Sequence, residues 1–207
     1  MAFIKTIPVG EATGGVRRMY EQNQARLGYV PNYAKAFSLR PQVMEGWAYL
    51  QKSIRSTMDT RRYELVTLAA ARALRCSYCA LAHGKVLESQ FFSTEEVTLI
   101  ARGGEGSALE PADAAIMAFA EKVVRHADAV TREDVENLRK HGLDDGEIFD
   151  VAAAAAARCF FSKVLDALGA EPDRSYDALA PDLREALTVG RPIGRGDMES
   201  IAPGGES

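Results

Sequence analysis

The segment ELVTLAAARALRC, residues 64–76, returns 83 residues later as EIFDVAAAAAARC, residues 147–159. Both copies are dense in alanine, the strongest helix former. Neither alternates apolar and polar residues as a half-buried strand does. Alanine adds little bulk, so helices of this kind suit close helix–helix contact. Most of the identities between the copies are alanines and carry little weight. The informative matches are Glu64 with Glu147, Arg75 with Arg158 and Cys76 with Cys159. Self-similarity at a fixed offset is a strong clue to architecture, and it predicts pseudo-repeats over about 40–104 and 107–170. The competing reading is two Ala-rich core helices that look alike by composition alone.

Apolar residues elsewhere also recur at helical spacing, and no convincing strand is found. The pattern predicts helices over 11–27, 32–38, 42–56, 61–73, 76–90, 94–102, 111–126, 132–141, 145–168 and 174–187. Pro31, Pro41 and Pro111 sit near helix starts. STEE at 93–96 reads as a capping box. Gly103-Gly104, Gly142 and Gly169 stand where helices should stop. The chain has 207 residues, enough for one domain with a real core. A single all-helical domain is expected over 1–187. The Gly- and Pro-rich segment 188–207 should form an arm or a disordered tail.

A net charge of −4 suggests neither a nucleic-acid nor an anionic-membrane partner. No apolar run approaches the roughly 20 residues of a membrane span. The opening stretch MAFIKTIPVGEATGG is too interrupted for a signal peptide. A cytoplasmic protein is expected. Three cysteines do not make a disulfide scaffold, and in a reducing compartment a C-x-x-C pair points to redox or metal chemistry.

The first repeat copy runs into RCSYCALAHG, where Cys76, Cys79 and His83 follow C-x-x-C-x-x-x-H. On one helix these three fall within about 60° of each other, and His83 lies one turn past Cys79. The imidazole can act as base or as a cation favouring the thiolate, which is the reactive form of cysteine. Glu64 is the fourth candidate. In a straight helix it would sit about 18 Å along the axis from Cys76. It can join the group only if the chain breaks near Leu74–Cys76 and folds back. Such a break would place both cysteines in the first turn of a new helix, where free N–H groups and the helix dipole lower a thiol pKa.

Other readings of the motif stay open. A structural zinc site needs four ligands, and this segment has three, with His126, His141 or a distant carboxylate as the fourth. Haem attachment needs C-x-x-C-H, but Ala80 follows Cys79. A thioredoxin-type site wants βαβ context. Buried inert cysteines are the plain alternative. Tyr78, between the cysteines, is a supporting donor or a packing residue. Cys159 reads as a buried small hydrophobe. His126 and His141 read as surface residues, and Trp47, Tyr49 and Leu50 as core or subunit contact. In the second copy Ser162 stands at the position of Cys79 and Asp166 at that of His83, which suggests that this half kept only packing.

YELVTLAAARALRCSYCALAHGKVL (63–87) resembles the alkylhydroperoxidase D-like, or carboxymuconolactone decarboxylase-like, family. GYVPNYAKAFSLRPQVMEGWAYLQ (28–51) resembles the start of its peroxidase-related subgroup, so the likeness spans about 25–185. The resemblance implies an all-α helical bundle with an internal duplication, in tight oligomers, commonly trimers or hexamers. It implies hydroperoxide reduction in which Cys79 attacks the peroxide, Cys76 resolves the sulfenic acid, and His83 with Glu64 relays protons. An external dithiol of lipoyl type would return the electrons, with no cofactor: neither haem, flavin nor metal is required. Two departures stand out. Tyr78 replaces a second histidine found between the cysteines of the best-known members, and Phe91-Phe92 fills a turn where small residues are usual. Rival readings are a decarboxylase-like or disulfide-reductase enzyme without peroxidase activity, and a non-enzymatic redox sensor or zinc-stabilised scaffold.

Overall fold

The computed structural model describes residues 2–103 and 109–201. Among the described residues there are ten α-helices and no strand: α1 (Gly14–Leu27), α2 (Asn32–Ala36), α3 (Pro41–Arg55), α4 (Thr60–Ala73), α5 (Ser77–Gln90), α6 (Thr94–Arg102), α7 (Pro111–His126), α8 (Arg132–Lys140), α9 (Asp145–Ala167) and α10 (Pro181–Leu187). The all-helical expectation holds. The predicted spans differ by more than two residues at two places. Val9–Glu11 forms a separate 3-10 turn, and an extended Thr13 delays α1 to Gly14. The span 174–187 splits into a 3-10 turn, Arg174–Ala178, and α10, because a residue before proline, here Ala180, disfavours helical backbone.

Helix starts follow local chemistry. Ser93 with Glu96 closes the capping box read from STEE, and Asp144 with Glu147 and Thr131 with Asp134 close two more. Each cap is worth about 1 kcal/mol. Pro41, Pro111 and Pro181 open their helices, where a missing N–H costs nothing. Gly142 and Gly169 end α8 and α9 with φ of 88° and 73°. Gly104, the second of the paired glycines, lies outside the described residues.

Helix α4 is the centre of the bundle. Every residue from Tyr63 to Ala71 is buried, the polar Glu64 and Thr67 included. Helices α5, α7 and α9 pack around it. Leu65, Leu68, Leu81, Ile100, Ile116 and Leu165 are fully buried, each worth about 1.5–3 kcal/mol relative to exposure. Segments at the repeat offset lie against each other: α4 against the first half of α9, and α6 against α10.

The segment after α10 runs as an arm across the body. Gly190 N–H donates to Ser77 Oγ at 2.7 Å, Arg191 to the Asp166 carbonyl at 3.0 Å, and Val30 N–H to the Glu199 carbonyl at 2.8 Å. The arm therefore crosses the start of α5. A Cβ on Gly190 would fall inside the Arg75 carbonyl. Gly190→Ala should therefore lift the arm and cost about 1–3 kcal/mol, read as a lower urea midpoint with faster proteolysis near residue 190. An unchanged midpoint would mean the arm contributes no stability. No helix among the described residues is long and apolar enough to cross a membrane.

Candidate active site

The chain breaks where the motif begins. Helix α4 ends at Ala73, Arg75 turns left-handed at φ 57°, and Cys76 caps α5. Cys76 N–H reaches back to the Ala71 carbonyl at 2.9 Å and Arg75 N–H to that of Arg72 at 2.9 Å. This pair of bonds is a Schellman ending, with arginine where glycine is usual. A non-glycine residue there carries about 1–2 kcal/mol of strain. Arg75→Gly should relieve it and raise stability by about 0.5–1 kcal/mol after the added chain entropy, measurable by thermal unfolding.

The turn does what the sequence required of it. Cys76 becomes the N-cap and Cys79 the third residue of α5, and α5 folds back along α4. Glu64 and His83 meet, with Oε2 to Nδ1 at 2.6 Å, both buried. Burial pushes the Glu64 carboxyl up, but His83, Arg55 and Arg158 outweigh it and hold it below its usual value. Arg55 lies 4.0 Å from Glu64 Oε1 and stacks on the Tyr63 ring, 5.0 Å from its centre.

Both motif sulfurs are buried, and both cysteines are free thiols. Their environments drive them apart. Cys79 is pulled down to about 6, first by its hydrogen bond with Cys76, against burial, and then by Arg158, Ser162 and His83. Cys76 is pushed up by that same bond, by burial and by the charges of Cys79 and Asp166. This asymmetry favours the thiolate on Cys79 and the thiol on Cys76.

Three side chains of the second repeat copy surround the sulfurs, which corrects the purely structural role expected of it. Ser162 Oγ donates to Cys79 Sγ at 3.2 Å. Arg158 Nη1 lies 3.8 Å from the same sulfur and Nη2 donates to the Tyr63 hydroxyl at 3.2 Å. Asp166 faces Cys76. Ser162 and Cys79 are 83 residues apart, the same offset that relates the two Ala-rich segments. The repeat register was the one signal in the sequence that pointed to them.

Tyr78 does not turn its hydroxyl to a sulfur. It donates to Asp173 and accepts from Tyr33 N–H at 3.2 Å, tying the segment after α9 to α2 and α5. Phe91 and Phe92 follow the far end of α5, about 18 Å along the axis from Cys79, too far to shape its surroundings. Cys159 is half-buried rather than buried, its thiol on the Ala155 carbonyl at 3.6 Å. Trp47 is buried and stacks on Phe161 at 5.0 Å, whereas Tyr49 and Leu50 are exposed. Among the described residues no three His, Cys, Asp or Glu side chains are grouped to hold a metal ion. An apolar groove of about 840 Å³ runs between α3 and α9, lined by Leu50, Ile54, Phe149, Ala153 and Ala157. Neither motif cysteine lines it, and neither does Glu64 or His83.

Residues 41–122 match the carboxymuconolactone decarboxylase family. The fold matches an uncharacterized peroxidase-related protein of Ralstonia eutropha JMP134 with an alkylhydroperoxidase AhpD core (TM-score 0.76, 22% identity, 84% of this chain and 94% of that one). A peroxidase-related protein of Silicibacter sp. TM1040 is similarly placed (TM-score 0.75, 21% identity, 83% and 92%). The debrominase Bmp8 shares the fold at TM-score 0.67 and 15% identity, over 83% and 91%. No curated protein sequence matches. Glu64, Cys76, Cys79 and His83 all lie inside the matched segment, while Arg158 and Ser162 lie beyond it. Over α3 to most of α7 the chain is similar to the carboxymuconolactone decarboxylase family, and it carries that region within an all-helical fold of the alkylhydroperoxidase D type.

Proposed function

We propose that the protein is an enzyme, a thiol-dependent hydroperoxide reductase. One observation carries this reading: a single sulfur, Cys79, is favoured as thiolate by Arg158 and Ser162, with a second thiol beside it and a proton-sharing His83–Glu64 pair one turn on. The thiolate attacks the distal oxygen of a hydroperoxide, the O–O bond breaks, and Cys79 becomes a sulfenic acid. The leaving alkoxide takes a proton from His83, which Glu64 orients, and departs as the alcohol. Cys76 thiol then condenses with the sulfenic acid, forming the disulfide and water. An external dithiol returns two electrons and two protons by exchange. The family resemblance favours a lipoyl-type carrier as donor, and the chemistry suits a reducing cytoplasm.

Thiol titration tests this. One equivalent of an organic hydroperoxide should lower the titratable thiols from three to one per chain, and a dithiol should restore them. Three thiols still titrating after peroxide would remove the reading. A second reading is favoured by the family match: Glu64 and His83 acting without sulfur on a lactone or carboxylate. Turnover of such a substrate by the Cys76→Ser/Cys79→Ser double variant would select it.

The same proposal includes a homo-oligomer, trimer or hexamer. Its contact face would be the α3–α9 groove, where Phe149 is 70% and Leu50 46% exposed. Exposed apolar patches of this kind mark interaction surfaces. Sedimentation of the wild type and of Phe149→Glu should show the assembly and its loss.

A further inference from the structure

Arg158 is a buried cation whose neighbours are almost all neutral. Its guanidinium sits 5.4 Å from the Trp47 ring centre and 5.7 Å from that of Phe161, on the α3–α9 side of the sulfurs. Nη2 meets the Tyr63 hydroxyl, Nη1 meets Cys79 Sγ, and Nε has no hydrogen-bond partner. Among the described residues no carboxylate forms an ion pair with it. Glu64, whose charge is felt at Arg158, is already held by His83 at 2.6 Å. A guanidinium does not release its proton, and a buried charge stripped of its partner is strongly destabilising.

We propose that the Cys79 thiolate is the counter-ion of Arg158, and that this pairing biases Cys76 and Cys79 toward the dithiol, making their disulfide a strong oxidant. The inference deepens the hydroperoxide-reductase reading, because it sets the redox poise of that same pair. Forming the disulfide turns the Cys79 sulfur from an anion into a neutral atom while Arg158 stays charged. The oxidised state alone then carries this buried cation without an anion in contact with it. A couple whose reduced form is selectively stabilised is oxidising, and its disulfide is readily reopened by an external dithiol. Ser162, donating to the same sulfur, acts in the same direction with less weight.

Equilibration with glutathione measures the bias without peroxide. Oxidation converts the Cys79 thiolate, the Cys76 thiol, one proton and glutathione disulfide into the protein disulfide and two glutathione thiols. Replacing Arg158 by methionine keeps the bulk and removes the charge. The equilibrium should move toward disulfide by about 10–100-fold, or about 30–60 mV, and the Cys79 thiolate absorbance should appear only at higher pH. Arg158→Lys, which keeps the charge, should shift less, and Ser162→Ala should shift in the same direction by a smaller factor. Should the methionine variant fail to fold, the wild type still decides the matter. Its oxidised form should unfold at a lower temperature than its reduced form, against the usual effect of a disulfide. An oxidised wild type that melts higher, or a folded Arg158→Met protein with an unchanged equilibrium constant, overturns the inference. A shifted constant in a protein that consumes no peroxide would uphold it and remove the hydroperoxide reading instead. Peroxide consumption with an unshifted constant would do the reverse.

Discussion

Cys79→Ser should abolish hydroperoxide consumption, whereas Cys76→Ser should perform one turnover per chain and then stop as a sulfenic acid. The two variants separate because the structure treats the two sulfurs differently. Arg158 and Ser162 face Cys79, while Asp166 faces Cys76. Deleting an activated nucleophile costs a factor on the order of 10⁴ or more in rate, since a serine hydroxyl in the same place is not ionised. In the proposed mechanism the Cys76 thiol is not needed until after the O–O bond has broken, and a serine hydroxyl at that position can still donate to Cys79, so the first step should survive the substitution. Stopped-flow loss of peroxide, with trapping of the sulfenic acid and mass spectrometry, reads both outcomes. Wild-type rates from Cys79→Ser would end the assignment. The pH profile follows from the same asymmetry. With Cys79 held down to about 6, the rate should fall as pH drops through that value. The folded pKa of Cys79 lies below its unfolded value near 9. Its contribution to the stability of the reduced protein is therefore complete above about pH 9 and lost as pH falls through about 6. Cys79→Ser should lack that rise.

Glu64→Gln should lower the peroxide turnover rate by about 10²-fold or more, the usual share of a positioned proton-transfer group, while leaving thiolate formation at Cys79 largely in place. Glutamine preserves shape and one hydrogen bond to His83 but cannot take up or hold the proton they share. The substitution also has a signature in acid. Opposed by burial but outweighed by His83, the Glu64 carboxyl lies below its usual value of 4.5. A carboxyl depressed on folding stabilises the protein above its unfolded pKa and loses that contribution as pH falls through the folded one. Part of the acid unfolding below about pH 4.5 is therefore carried by this group. Urea midpoints between pH 3 and 7 should fall less steeply for Glu64→Gln than for the wild type. Parallel curves would show that Glu64 has no depressed pKa, and an unchanged turnover rate would remove it from the proton relay.

What the sequence determined by itself was local. Helical periodicity, the Ser93 cap, and glycines at helix ends are interactions between residues a few positions apart, and the helix spans follow from them almost residue by residue. The break at Leu74–Cys76 was also legible, because Glu64 lies three turns from Cys76 and can take part only if the chain turns back. Tertiary structure decided everything that depends on which helices meet. Arg158 and Ser162 reach Cys79 from 79 and 83 residues away, and their types alone do not distinguish them from a solvated arginine and a packing serine. Tyr78 was recognisable as a hydroxyl next to the sulfurs, yet its partner Asp173 lies 95 residues on. The arm over the start of α5 was read only as Gly- and Pro-rich chain. Spacing along a helix fixes which side chains share a face, but the charge a sulfur feels comes from whatever packs against that face.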